Sequence, residues 1–414
     1  MSAPAPSGSA AVPLSILDLS PISSGSTPAQ ALRNTVDLAQ RAEAAGYSRY
    51  WLAEHHLATG VAGVSPALVI QLVAAATERI RVGAGAVQLG HRTALSVVEE
   101  FGLLDALFPG RIDLGLGRSG FRLPKPPTCA GPAADGPADE KPAGGQTPAE
   151  RPAAGAEAAA PSRPPAPRGG ERVTPEGLLI PAPFDLGALA GSPLLTRYVR
   201  LVQFPGADLP DYREQVAQIQ ALIRGDHRTP EGLAARALPG EGADLQLWIL
   251  GSSGGVSAET AGALGLPFGA NYHVSPAAIL EAVAAYRKAF VPSPTLSKPH
   301  VLVSADVVVA ETDAAARHLA SPYGLWVHSI RSGNGAIPFP SPDEAAAHVW
   351  TPEERALVDD RVRTQFAGSP RTVVEKLRVL RQATGADELL VTTITHDHRD
   401  RVRSLDLLAE AWWS

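Results

Sequence analysis

The sequence predicts an α/β protein: one (β/α)8 TIM barrel with a long Pro/Ala/Gly-rich insertion after strand 4. Short apolar runs alternate with helix-length segments, which is the spacing of a parallel sheet wrapped in helices. Eight such strands can be counted, four on each side of the insertion. A doubly wound open sheet is the competing architecture, because sequence alone separates the two poorly.

The first half alternates regularly between strands and helices. Glycine and proline stop signals and a serine–proline helix start separate its elements. The predicted strands are residues 13–19, 49–53, 80–89 and 112–116, and the predicted helices are 28–45, 66–76 and 93–107.

The alternation then stops in residues 122–205, which we interpret as an insertion or flap region at the barrel mouth. Residues 124–170 have almost no large side chains, and such a segment cannot offset the entropy of ordering, so we expect disorder there. Residues 173–203 are moderately apolar and could pack as a lid.

The alternation resumes at residue 209, and residues 332–350 look like a further loop. The predicted strands are 245–250, 267–271, 301–310 and 388–393. The predicted helices are 211–224, 256–264, 276–290, 313–330, 351–365, 370–384 and 400–413.

Composition narrows the function classes. The chain has 414 residues, a net charge of -6 and a single cysteine, Cys129. The charge does not suggest nucleic acid or an anionic membrane as a partner, and one cysteine rules out an internal disulfide. Residues 1–12 read as a disordered N-terminus rather than a signal peptide, and residues 13–414 as one domain. We therefore expect a cytoplasmic protein without membrane spans.

Glu54-His55-His56 is the strongest candidate catalytic element, because it directly follows a predicted strand. Strand carboxyl ends carry the chemistry of α/β barrels, and histidine can act as acid or base near neutral pH. The alternative is a polar strand end with one hydrogen-bonded histidine. Zinc is a weaker alternative because the spacing suits chelation poorly, although His396-Asp397-His398 could add a ligand. We predict no metal.

Two glycine-rich segments are candidate phosphate sites. Residues 115–120 match G-x-G-x-x-G, but a Pro-rich stretch follows where the dinucleotide fingerprint needs a helix, so we reject that interpretation. Arg118 remains suited to phosphate. In residues 251–257, small residues free backbone N–H groups before a helix, which favours an anion over a simple tight turn.

Glycines also mark the third strand, at residues 82–87. Glycine inside a strand often marks close approach by a ligand, so this strand could leave room for a planar ring system. Tight packing against a helix is the alternative.

Taken together and in order, these motifs resemble the bacterial-luciferase-like family of flavin-dependent monooxygenases. The resemblance covers nearly the whole chain except residues 1–11 and 121–205. The matching segments are residues 13–21, 46–56, 81–86, 109–118, 250–254, 265–268 and 385–391.

The resemblance implies a barrel that holds reduced FMN or, in some members, F420. A histidine of the Glu54-His55-His56 run would be the catalytic acid or base beside the flavin. Gly85-Ala86 matches a position where the family often has a non-prolyl cis peptide behind the flavin ring. Phosphate contacts are implied for a further set of residues: Arg118, Ser253, Gly254, Gly255 and Ser257.

The resemblance also implies a reaction and partners. It points to a two-component FMNH2-dependent monooxygenase that uses O2 to hydroxylate or epoxidise a small organic substrate, with a polyketide of an antibiotic pathway as one candidate. No nicotinamide fingerprint is present, so a separate NAD(P)H-dependent flavin reductase would supply reduced FMN. A homodimer through helices near residues 65–107 is expected. An F420-dependent oxidoreductase, a flavin-binding protein without catalysis and a zinc hydrolase stay as alternatives.

Overall fold

The computed structural model describes residues 12–118, 170–184, 193–203 and 210–414. Within these residues it contains twelve strands and thirteen α-helices. None of the described helices is both long and apolar enough to cross a bilayer. The segments predicted to be disordered, 1–12 and 124–170, lie outside the described residues apart from Val12 and Gly170.

Eight parallel strands close into a barrel. Their order is β1-β2-β3-β5-β8-β9-β10-β12, and β12 pairs with β1 again. The predicted (β/α)8 barrel is thereby confirmed, and the open sheet is wrong. The strands are β1 (Leu14–Asp18), β2 (Arg49–Leu52), β3 (Arg81–Ala84), β4 (Val87–Gln88), β5 (Ile112–Gly117), β6 (Arg172–Val173), β7 (Leu179–Ile180), β8 (Gln246–Gly251), β9 (Phe268–Asn271), β10 (Val301–Val309), β11 (Phe366–Gly368) and β12 (Glu388–Thr392).

The helices pack outside the barrel. In five of them, proline follows a serine or threonine cap, because the fixed φ of proline suits the first position of a helix. The helices are α1 (Pro28–Ala44), α2 (Pro66–Ala76), α3 (Ala94–Leu107), α4 (Pro193–Val202), α5 (Tyr212–Arg224), α6 (Val256–Ala263), α7 (Ile279–Ala289), α8 (Asp313–Ala320), α9 (Tyr323–Arg331), α10 (Pro342–Ala347), α11 (Pro352–Thr364), α12 (Pro370–Thr384) and α13 (His398–Trp413).

Three predicted elements differ from the structure. The predicted third strand is interrupted at Gly85-Ala86, where the peptide bond is cis. The predicted helix 313–330 is two helices, because Pro322 cannot donate the backbone hydrogen bond that a continuous helix needs. The predicted loop 332–350 contains α10, whose start is a capping box of Ser341 and Glu344.

Charged side chains close the amino end of the barrel interior. Arg49 bonds Asp113 at 2.7 Å and Glu388 at 3.0 Å, and Arg81 also bonds Asp113 at 2.7 Å. Both carboxylates are buried, and Trp51 donates to Asp113 from the layer above at 2.8 Å. Since buried charges need partners to be stable, this end is satisfied internally. The carboxyl end is left for chemistry.

The two described pieces of the insertion contact that carboxyl end. The β6–β7 hairpin is held by Tyr272, whose hydroxyl donates to the Leu179 carbonyl at 2.7 Å. Beside it, Glu171 pairs with Arg363 of α11 at 2.6 Å. From α4, the Tyr198 hydroxyl donates to the Gln88 side chain at 2.5 Å. The insertion therefore packs on two sides of the barrel mouth, as expected for a flap.

Candidate active site at the carboxyl ends of the strands

Glu54 is the centre of a polar cluster at the end of β2. Its carboxylate is buried, and Oε1 lies 2.9 Å from His56 Nε2, 3.0 Å from His91 Nε2 and 3.3 Å from Arg92 Nη2. Its Oε2 accepts the Gln88 backbone N–H at 2.9 Å. The cis Gly85-Ala86 peptide precedes Gln88 and His91 in the chain, so the interruption of the third strand lies beside this cluster.

These contacts fix the charge of Glu54. Burial alone would raise the pKa of the carboxyl, but hydrogen bonds from His56, His91 and Gln88 and the charge of Arg92 together hold it well below its usual range. Glu54 is therefore an anion at every physiological pH. It orients the imidazole of His56 rather than exchanging protons itself.

The same cluster has the composition of a metal site, but its charge argues against one. Ligand atoms of Glu54, His56 and His91 lie within 4.8 Å of one another. Arg92, however, already places its cationic guanidinium against Oε1, where a metal would bind. The histidine pair considered as extra ligands is also elsewhere: His396 contacts the Ser24 carbonyl and His398 pairs with Asp37. His396 and His398 therefore do not supply the additional ligand that the sequence suggested.

His55 is not part of this cluster. Its side chain is solvent-accessible, while its backbone N–H donates to the Gly63 carbonyl at 2.8 Å. Desolvation by the surrounding protein lowers the pKa of its imidazole, Glu54 opposes this shift and the proximity of His56 adds to it. A ring that lines a cavity can be accessible to solvent and still be desolvated by the protein around it, whereas a ring on the outer surface is not desolvated. The two adjacent histidines thus differ: His56 is anchored, and His55 is free to meet a ligand.

The glycines of β3 and β5 are explained partly by strand packing. A Cβ on Gly83 would approach Asp113 to 2.5 Å, and one on Gly115 would approach the Ala84 carbonyl to 2.0 Å. Tight packing against a neighbouring strand, rather than a helix or a ligand, therefore requires these two. Gly85 packs against Leu17 and Trp51 of the barrel interior. Gly117 lies at the mouth, where its Cβ would meet only Ala86 and, at 3.6 Å, the Val87 carbonyl.

Arg118 and Ser257 come together around Tyr212. The Tyr212 hydroxyl donates to the Leu116 carbonyl at 3.1 Å. Burial raises the pKa of this phenol, and the Arg118 charge and a hydrogen bond with Ser257 oppose the rise, so all three groups are close. An exposed arginine beside the first turn of a helix is a cradle suited to an anion.

The loop before α6 supports the same interpretation. Its N-cap is Gly255, and among the described residues no side chain caps the helix, so the first N–H groups are available to a ligand. Ser253 is partly exposed in this loop, and a Cβ on Gly254 would approach the flexible side chain of Glu281 to 2.9 Å. These donors could bind an anion at the start of α6, on the wall that β8 forms.

Sequence reasoning missed two histidines of the mouth. His91 completes the Glu54 cluster, and His273 follows β9, with its Nδ1 2.5 Å from Ser304 Oγ. Each comes shortly after a predicted strand, which is the signal that identified Glu54-His55-His56. Neither belongs to a motif that the sequence analysis recognised, although His91 is directly followed by Arg92, which also contacts Glu54.

The fold and the mouth define a (β/α)8 barrel that can hold a phosphate-bearing cofactor beside a histidine. The model of the luciferase-like monooxygenase family matches residues 12–125 and 205–388, and the chain belongs to that family.

Relatives carry related names. The chain is 34% identical to the uncharacterized protein YvbT of Bacillus subtilis strain 168 and 29% identical to a luciferase-like monooxygenase of Escherichia coli K12, each over 96% of both chains. Over 112 residues, 27% of this chain and 34% of the relative, it is 50% identical to an N-acetyl-S-alkylcysteine monooxygenase of Bacillus subtilis. These names support a monooxygenase.

Solved structures show the same fold. Apo-MsnO8 superposes with a TM-score of 0.72 at 30% identity, over 97% of this chain and 98% of that one. The oxygenating constituent of 3,6-diketocamphane monooxygenase of Pseudomonas putida, in complex with FMN, gives 0.60 at 18% identity over 97% of each chain. An F420-dependent tetrahydromethanopterin reductase of Methanopyrus kandleri gives 0.53 at 16% identity, over 97% and 98%. The last two are similar in fold alone.

Proposed function

We propose that this protein is a two-component, FMN-dependent monooxygenase. Reduced FMN and O2 would convert an organic substrate to its hydroxylated or epoxidised product, with water and oxidised FMN as the other products. The observation that carries the proposal is the convergence of Arg118 and Ser257 at the uncapped start of α6, which supplies donors for the phosphate of FMN.

Each part of the mouth then has a role. FMN, when bound, would supply the electrons and the site where O2 reacts. Arg118, Ser257 and the loop around Ser253, Gly254 and Gly255 would bind its phosphate, and Gly85-Ala86 would lie against its ring. His55, accessible and held largely neutral, would accept or donate the proton. Glu54 would keep His56 oriented, and the packed flap would exclude water.

Two alternatives share this barrel. An F420-dependent oxidoreductase would use the same phosphate cradle for hydride transfer, and a flavin-binding protein would use it without catalysis. The monooxygenase names among the sequence relatives favour oxygenation. We expect substrates that are large and apolar, such as the aromatic polyketides of antibiotic pathways, because the two described pieces of the insertion extend the walls of the mouth.

The reaction also needs partners. We propose that a separate NAD(P)H-dependent reductase supplies reduced FMN, which would place the reaction in the cytoplasm. We also propose a homodimer through α2 and α3, because large apolar side chains there are exposed: Leu68 by 65%, Leu72 by 51%, Leu103 by 56% and Leu107 by 62%. A contiguous apolar surface of this kind marks a protein interface.

A single reconstitution tests the proposal. The protein is mixed with aromatic polyketides and with one of two cofactor systems, either FMN with a generic flavin reductase and NADH or F420 supplied already reduced, and products are screened by mass. We expect O2 consumption and a gain of one oxygen with FMN alone. Quenching of tryptophan fluorescence gives the affinity for each reduced cofactor, because Trp51 and Trp248 lie inside the barrel. Hydride transfer with F420 and no O2 uptake would favour the first alternative.

A further inference from the structure

His273 lies across the barrel mouth from His55. In barrel order, β2 is the second strand and β9 is the sixth, so the residues that follow them leave from opposite walls. Burial lowers the pKa of His273, and the charges of Arg361 and His55 add to the shift. Both histidines follow the carboxyl ends of their strands, so they lie on opposite walls of the same mouth.

One nitrogen of His273 is anchored and the other is available. Nδ1 lies 2.5 Å from the hydroxyl of buried Ser304, and that hydroxyl also reaches the Ala270 carbonyl at 3.4 Å. Among the described residues, Nε2 of His273 has no hydrogen-bond partner. It is also not among the side-chain atoms that are both buried and without a partner. Nε2 is therefore accessible from the mouth.

The contacts of Ser304 are compatible with two tautomers of His273, and we infer the one that uses both contacts. A carbonyl oxygen can only accept, so when the Ser304 hydroxyl donates to Ala270 it accepts from His273. Nδ1 then holds the hydrogen, and Nε2 presents a lone pair. Burial lowers the pKa of His273 to about 3, so the ring stays neutral and keeps this lone pair at physiological pH.

The surroundings do not favour an anion at this position. The nearby cation, Arg361, is already engaged: Nη2 donates to the Tyr323 hydroxyl at 2.6 Å and reaches Asp306 at 3.4 Å. Asp306 balances its charge. The rest of this wall is apolar and aromatic, with Trp326 and Phe339 packed in the same cluster as Tyr323.

We propose that His273 is a substrate-binding residue, whose Nε2 accepts a hydrogen bond from a neutral hydroxyl group on an aromatic substrate. The site thus selects phenols over the corresponding ethers and carboxylates. The inference that the bound phenol is a substrate rests on the proposed oxygenase function. The binding itself can be measured separately.

Equilibrium dialysis with three matched probes tests the proposal: 2-naphthol, 2-methoxynaphthalene and 2-naphthoate. The wild-type protein should retain the naphthol about fivefold more tightly than the ether, the worth of one net hydrogen bond. In His273→Phe, which keeps a flat ring, the ratio should fall to one. Ser304→Ala keeps the imidazole but removes the hydroxyl that contacts Nδ1, so it should lower the ratio partly. This second variant tests the proposal if His273→Phe fails to fold.

His227→Phe is the matched control, because His227 lies in the loop before β8, at the other end of the barrel, and should leave the ratio unchanged. Equal retention of naphthol and ether by the wild-type protein, including retention of neither, overturns the proposal. Preferred retention of naphthoate also overturns it and assigns the subsite to Arg361. FMN binding in the same samples is measured by flavin fluorescence. If FMN does not bind, the proposed function is refuted. The ratio of naphthol to ether binding still tests the role of His273 in that case.

Discussion

Replacing Glu54 by glutamine should destabilise the protein strongly at neutral pH. The substitution keeps the shape of the side chain but removes a buried negative charge that contacts His56, His91 and Arg92. Removing one partner from a buried ion pair costs about 3 to 5 kcal/mol. Arg92 keeps a second carboxylate, Glu100, at 2.8 Å, so we expect a value of about 3 kcal/mol, at the lower end of that range.

The loss should depend on pH with a defined sign. Folding lowers the pKa of Glu54, so its stabilisation is complete above the ordinary glutamate pKa of 4.5 and declines as the pH falls below it. Glutamine does not titrate. The gap between the wild-type protein and Glu54→Gln should therefore be full at pH 7.5 and smaller at pH 4.

Thermal unfolding followed by circular dichroism measures this gap. With an unfolding entropy of about 2.1 cal/mol/K per residue, a chain of 414 residues shifts by about 1.2 °C for each kcal/mol, so the midpoint should fall by about 3.5 °C at pH 7.5. Glu100→Gln is the matched control, because it removes the more exposed carboxylate on the same arginine and should cost at most about 1 kcal/mol. If both variants unfold at the same temperature at pH 7.5, the assignment of Glu54 as the buried centre of the cluster is refuted.

Three further predictions follow from the mouth and the helices. Arg118→Ala should weaken FMN binding by about 10- to 100-fold, the worth of a charged hydrogen bond, and leave riboflavin binding unchanged; equal weakening in a fluorescence titration would show that Arg118 does not contact the phosphate. His55→Ala should abolish oxygenation and retain FMN, whereas full activity in the product assay would assign the proton to another group. Leu72→Lys with Leu103→Lys should give a monomer by analytical ultracentrifugation, and an unchanged sedimentation coefficient would rule out this interface.

The elements of the barrel could be predicted because each has a strong local cause. Apolar runs bounded by stop signals define β1, β2 and β12 within one or two residues. Errors arose where two local signals compete. Residues 313–330 have helical periodicity throughout, yet Pro322 divides them. Residues 80–89 are apolar apart from Arg81 and Gln88, and only the resemblance indicated the cis Gly85-Ala86 peptide that interrupts them.

The site could be predicted only where its residues are adjacent in sequence. Glu54 and His56 are two residues apart, and the structure places them in contact. His91 reaches the same carboxylate because β3 lies beside β2 in the closed barrel, a relation that no local pattern contains. His396 shows the converse case: it also follows a strand, but it contacts Ser24 instead of the Glu54 cluster.

Strand order therefore carries functional information that strand prediction alone lacks. Once the barrel order is known, each polar residue that follows a strand can be assigned to one wall of the barrel and to its neighbours on that wall. His55 and His273 then become a facing pair, one on the second strand and one on the sixth. Arg118, after the fourth strand, and Ser257, after the fifth, become neighbours on the phosphate side. This order leaves the space between the two histidines as the position where a cofactor and a substrate would meet.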